Sequence, residues 1–186
     1  MTRGPRSVSS RRVRCACIDI GSNTTRLLVA ESARDGRLRE LHAERAFTRL
    51  GSLLGPGGAI PPAVVRVGAD RVAGVLAPLR PPQPVAAYAV GGSATSLRRL
   101  LGTVLDQEAL ARGLLALAAL PRADIARRFA LHPERARLLP AAILLLEGAT
   151  EALGTPLRTC GGGLREGVLL EAIRGSGPSQ VADAAD

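Results

Sequence analysis

At 186 residues the chain is long enough for one ordinary domain with a real core. Hydrophobic residues make up 46% and aromatics only 2%, so that core is built from Leu, Val, Ile and Ala. The 25 basic against 16 acidic residues give a net +9, a balance that suits polyanions, although no Lys occurs and the uniform choice of Arg also bears the mark of compositional bias.

Residues 1–12 read as a loose basic arm, and "MTRGPRSVSSRRVRC" lacks the apolar centre of a secretory signal. Residues 13–20 and 25–31 read as strands, "ARDG" at 33–36 is a turn signal, and 37–47 is a third strand, which makes an antiparallel meander. A Gly/Pro-rich loop covers 50–62. Val65, Ala69, Val72, Val75 and Leu79 recur at helical spacing, and "RPPQP" at 80–84 ends that helix. The apolar run 85–90 suits a buried parallel strand. It ends in "GGSATS" at 91–96, a Gly-rich loop in which Ser93 or Thr95 caps a helix continuing through 97–101. Helices are predicted over 106–120, 123–129 and 133–153, with Pro140 starting or kinking the last and Gly154 stopping it. Residues 157–160 form a short strand, 161–173 a closing helix, and 175–186 a disordered tail.

This order implies an α/β fold of ribonuclease-H-like layout: a mixed sheet, with an antiparallel three-strand meander plus parallel strands, and a helix-rich second half. Residues 13–174 form a single domain. No run approaches the ~18 apolar residues of a membrane span. Cys15, Cys17 and Cys160 are odd in number, and Cys15 and Cys17, two apart in a strand, share a face and are badly placed to pair. Buried thiols in a reducing, cytoplasmic compartment are expected.

Two places carry chemistry. In "CIDIGSNTTRLLVAES", 17–32, an apolar run stops on Asp19. A carboxylate at a strand end suits a hydrated Mg²⁺ bridging to phosphate. Gly21 lets the backbone turn and approach an anion closely, and Ser22, Asn23 and Thr24 offer donors, a small anion nest. The same residues also describe a capped hairpin in which Asp19 and Asn23 bond their own turn. Arg26 either neutralises phosphate or faces solvent. The second place is Gly91, Gly92, Ser93 and Thr95, whose N–H groups at a helix start can hold a phosphate or nucleotide, or simply begin a helix. His42 and His132 have no triad or zinc partners and read as structural. Arg165 and Glu166 in "GLREG", near a strand–helix turn, read as a mutual or capping ion pair. The strand 85–90 contains no acid, against a two-metal nuclease. Phe47, Tyr88 and Phe129 are too scattered for a nucleic-acid stacking platform.

"IDIGSNTTRLLVAE" resembles the first phosphate loop of the Ppx/GppA phosphatases, the exopolyphosphatases and guanosine pentaphosphate phosphohydrolases of the actin/Hsp70/sugar-kinase superfamily. "ERAFTRLGSLLGPGGAI" looks like that family's next segment, "AVGGSATSLRRLLG" like its late Gly-Gly-Thr-type loop, and "GGGLREGVLLEAI" like its terminal signature. The family has two such domains facing across a cleft. Here the acidic segment carrying its water-activating Glu and its second phosphate loop are absent. Residues 13–80 resemble the front half of the first domain and 85–174 the back half of the second, a splice able to form one sheet.

The resemblance implies a Mg²⁺-assisted phosphoanhydride hydrolase releasing phosphate from polyphosphate or guanosine pentaphosphate. Asp19 would hold metal, and Gly21, Ser22, Asn23, Thr24 and Arg26 phosphate. Gly91, Gly92, Ser93 and Thr95 match the nucleotide-side loop. Glu31, Glu40 and Glu44 are available as a base, but none matches the family's catalytic Glu, so impaired activity is expected. The alternative is a non-catalytic polyphosphate- or nucleotide-binding remnant. A homodimer facing two first loops together would rebuild a cleft.

Overall fold

In the computed structural model, the described residues are 13–33, 37–49, 70, 83–120, 122–161, 165 and 167–169. The basic arm, the Gly/Pro-rich loop, the helix expected over 65–79 apart from Asp70, the tail and most of the closing helix lie outside them. Within the closing helix, Arg165 and 167–169 are helical.

The elements run β1 (Arg14–Ile20), β2 (Thr25–Ser32), β3 (Leu38–Ala46), β4 (Ala86–Val90), α1 (Gly91–Leu101), β5 (Val104–Leu105), α2 (Gln107–Ala119), α3 (Arg122–Arg128), α4 (Pro133–Leu153) and β6 (Leu157–Thr159). The strands form one six-stranded mixed sheet in the order β3-β2-β1-β4-β6-β5. The meander is antiparallel, while β1–β4 and β4–β6 are parallel, so the expected mixed α/β layout is the observed one.

Alternation along each strand divides the core. Ile18, Ile20, Leu27, Val29 and Ala89 face the helices, where Leu97, Leu110, Leu139, Ile143 and Leu146 meet them. Cys15, Cys17, Leu28, Tyr88 and Val90 face the other way, against Cys160, Val168 and Leu169. All three cysteines are buried. Burial pushes the Cys15 thiol up from its ordinary value. Each fully buried Leu or Ile contributes roughly 1.5–3 kcal/mol, so a ring-poor core suffices.

Local chemistry sets the helix ends. Asp106 caps α2 by accepting from the Ala109 N–H at 2.7 Å. His132 caps α4 in the same way, its Nδ1 accepting from the Glu134 N–H at 3.3 Å, with Pro133 at the first helical position. Gly154, at φ +63, ends α4 and donates to the Glu151 carbonyl. Pro140 lies inside α4 and does not start it. The buried Leu139, Ala141, Ala142 and Ile143 around it offset the lost hydrogen bond.

At the end of the meander far from the first turn, Arg14, Glu31 and Arg39 stand in one row across β1, β2 and β3. Glu31 is 4% exposed and accepts from Arg39 Nε at 2.9 Å, with Arg14 Nη2 3.9 Å away. Two arginines thus compensate one buried carboxylate. Among the described residues no helix is long and apolar enough to cross a membrane.

Candidate functional site

Ile20 pairs with Thr25, leaving residues 21–24 as the β1–β2 turn. The Gly21 N–H donates to the Thr24 carbonyl at 3.0 Å, and a Cβ at Gly21 would lie 3.2 Å from that oxygen, so the turn is tight and partly closed on itself. The segment after β3 braces it: the Arg49 N–H donates to the Asn23 carbonyl at 3.0 Å, and Thr25 Oγ1 donates to Thr48 Oγ1 at 3.4 Å with both threonines buried. Ser22 and Asn23 are exposed, and among the described residues neither side chain has a hydrogen-bond partner. The turn is closed by the Gly21 backbone, and not, as the capped-hairpin alternative expects, by the Asp19 and Asn23 side chains, which among the described residues make no bond to it.

Asp19, half-buried, alternates with Ile18 and Ile20 and so points to the sheet face away from the helices. Across that face the register runs Val90, Asp19, Arg26, Arg45 on β4, β1, β2 and β3. Arg26 is half-buried and Arg45 exposed. Two like charges directly opposite on paired strands destabilise the sheet unless an anion lies with them. Among the described residues, no carboxylate makes an ion pair with either arginine, and Asp19 makes none.

The stretch at Gly91 departs from its expected form. No loop separates strand from helix: Val90 is extended, Gly91 has φ +92, and α1 begins at Gly91 itself. Only a glycine makes so abrupt a change easily. Neither Ser93 nor Thr95 caps the helix, because no side chain does. Thr95 Oγ1 and Ser96 Oγ turn back to the Gly91 and Gly92 carbonyls at 3.1 and 2.9 Å. The consequence is proximity. Parallel pairing of Asp19 with Val90 brings Gly91 against β1, where a Cβ would meet Asp19 Oδ1 at 2.5 Å and the Ile20 carbonyl at 3.2 Å. The two candidate sequences, some 70 residues apart along the chain, thus meet at the C-terminal ends of the two central strands.

Arg135 was not legible as part of this place. A Cβ at Gly92 would lie 3.4 Å from its Nη1, so the guanidinium covers the start of α1. It also stands in the first turn of α4. Both positions put a cation at the positive end of a helix dipole. The side chain is exposed, and among the described residues it has no ion-pair partner.

The remaining candidates lie elsewhere. Glu31 is held in the far row with Arg14 and Arg39. Glu44 pairs with Leu27, on the helix side of the sheet, opposite to Asp19. Glu40 pairs with Ala30, toward the far end of β3. His42 lies opposite Val29, its Nε2 buried without a partner among the described residues. Glu166 falls outside the described residues. Among the described residues no group of three or more His, Cys, Asp or Glu could hold a metal, which leaves Asp19 as a single carboxylate. That donor set fits Mg²⁺, which keeps waters and takes one or two carboxylates alongside phosphate oxygens.

No protein-family model and no curated protein matches the chain. Solved structures do. An exopolyphosphatase from Cytophaga hutchinsonii superposes with a TM-score of 0.66 at 17% identity, covering 91% of this chain and 60% of that one. An exopolyphosphatase-like protein superposes with a TM-score of 0.66 at 16% identity, covering 93% and 64%. A Ppx/GppA family member from Aquifex aeolicus aligns at 0.40 and 14% identity, covering 89% and 99%. The chain spans less than two thirds of the length of the first two. Its structural neighbours are exopolyphosphatases and Ppx/GppA family members, and with the first two it shares the fold.

Proposed function

We propose that the chain binds the terminal phosphoryl groups of a phosphoanhydride, polyphosphate or guanosine pentaphosphate, in the crook where the β1–β2 turn meets the start of α1. Asp19 holds Mg²⁺, which when bound offsets phosphate charge. Ser22, Asn23 and Thr24 donate to phosphate oxygens, the α1 start contributes backbone N–H groups, and Arg26, Arg45 and Arg135 supply positive charge. The observation that carries this reading is the Asp19–Arg26–Arg45 row beside Gly91, with its cations unpaired among the described residues. The two structural neighbours that share the fold are an exopolyphosphatase and an exopolyphosphatase-like protein, which supports the same reading.

Hydrolysis by this site is expected to be slow. Glu31 is engaged far from the crook and Glu44 faces the other side of the sheet. Lack of a general base costs typically about 10²–10⁴-fold. The same observation favours a second reading, a binding protein without turnover. The origin proposed for the single domain is the joining of residues 13–80 with 85–174, and a homodimer facing two crooks together would complete a cleft.

The test is phosphate release from long-chain polyphosphate by purified protein, with and without Mg²⁺, alongside calorimetric binding. Mg²⁺-dependent release abolished by Asp19→Ala supports the hydrolase. Salt-sensitive binding without turnover supports the binding protein. Absence of both refutes the site.

A further inference from the structure

Phe47 is 62% exposed, in a chain with only three aromatic residues. It is neither core nor isolated. The Arg45 guanidinium lies over its ring, 4.7 Å from the centroid. A cation seated over an aromatic ring is attracted to its face, which favours one orientation of the ring, and most of this ring remains exposed.

The position of this pair matters more than its exposure. Arg45 ends the row Asp19–Arg26–Arg45, two strand spacings from Asp19, about 10 Å. Phe47 follows two residues later, on the side where Arg45 reaches it. The backbone just beyond is pinned to the β1–β2 turn through Thr48 to Thr25 and Arg49 to Asn23. The ring is therefore held at a set distance from the crook and is not carried on a loose loop. A solvent-facing aromatic held there costs apolar exposure, which stacking of a flat ligand would remove.

We infer that Phe47, backed by Arg45, is the platform on which a purine base stacks when the phosphates of a nucleoside polyphosphate occupy the crook. This rests on the phosphate-binding reading above and adds a specificity-determining residue to it. A nucleic-acid surface needs a series of rings, whereas one nucleotide needs one. Inorganic polyphosphate has no base and gains nothing from the ring.

The experiment compares GTP and ATP with inorganic tripolyphosphate, which carries the same number of phosphoryl groups, by calorimetry in Mg²⁺. The wild-type protein is expected to bind both nucleotides about tenfold more tightly than tripolyphosphate. Phe47→Ala should abolish that advantage and leave tripolyphosphate affinity unchanged, while Phe47→Tyr should retain it. Circular dichroism of each variant confirms the fold. Equal binding of nucleotides and tripolyphosphate, untouched by Phe47→Ala, overturns the platform and leaves the crook standing. A parallel loss of all three ligands in Phe47→Ala also overturns it, since the ring would then only brace the turn. Failure of the wild-type protein to bind any of the three overturns the crook and the platform together.

Discussion

Gly91 rests against the carboxylate of Asp19 so closely that a methyl group on residue 91 would come within 2.5 Å of Oδ1. The φ of Gly91, +92, is also one that L side chains rarely adopt. Gly91→Ala is therefore expected to destabilise the fold by about 2 kcal/mol and to displace Asp19, weakening polyphosphate binding as well. Urea unfolding and calorimetry read the two effects. A variant with the wild-type midpoint contradicts the geometry.

Arg135 should behave in the opposite sense for stability. Its guanidinium lies at the start of α1 and in the first turn of α4, both unfavourable for a cation. Arg135→Gln is expected to raise stability by about 0.3–1 kcal/mol at low salt while lowering polyphosphate affinity. A loss of stability would mean that the guanidinium is held by contacts of its own.

Glu147 makes stability depend on pH. Burial raises its carboxyl above the ordinary carboxylate range. The folded chain then holds this proton more tightly than the unfolded one. Below the unfolded pKa, about 4.3, there is no penalty; as pH rises through the folded value, the penalty is established and stability falls. Glu147→Gln should therefore stabilise at pH 7 and not at about pH 4. Thermal melts of both proteins across that range provide the check, and an equal shift at both pH values would rule out ionisation as the cause.

Two leucines separate packing from mere hydrophobicity. Leu146 in α4 is fully buried, whereas Leu115 in α2 is 72% exposed. Leu146→Ala is expected to cost about 3 kcal/mol, and Leu115→Ala less than about 0.5 kcal/mol. Denaturant midpoints decide it.

The parts of the fold legible in sequence were those with long, consistent periods. The meander showed through because apolar runs at 13–20 and 25–31 are separated by turn residues, and α4 because its caps, His132 and Gly154, frame an apolar run. The start of α1 was misread because two glycines look like a loop; a single φ of +92 at Gly91 does that work in one residue. The strand β5 was missed because two residues, Val104 and Leu105, carry no period and exist as a strand only through pairing with β6. At the site, Asp19 announced itself by interrupting an apolar run. The opposition of Arg26 and Arg45 did not, since the β2–β3 register is shifted by the bulge between Val29 and Ala30. Arg135 reaches Gly92 through helix packing, which no local pattern encodes.

The bond between β1 and β4 has a consequence for synthesis. Cys15 finds its neighbour Ala86 only after about 70 further residues have been made. At ~5–20 residues per second that is a delay of several seconds. Throughout it, one margin of the CACI segment stays open and sticky, although its hairpin mate β2 is already at hand. A nascent chain in this condition invites a stranger's strand in place of its own, so the yield of native protein should rise when translation is dilute and chaperones that shield such margins are abundant.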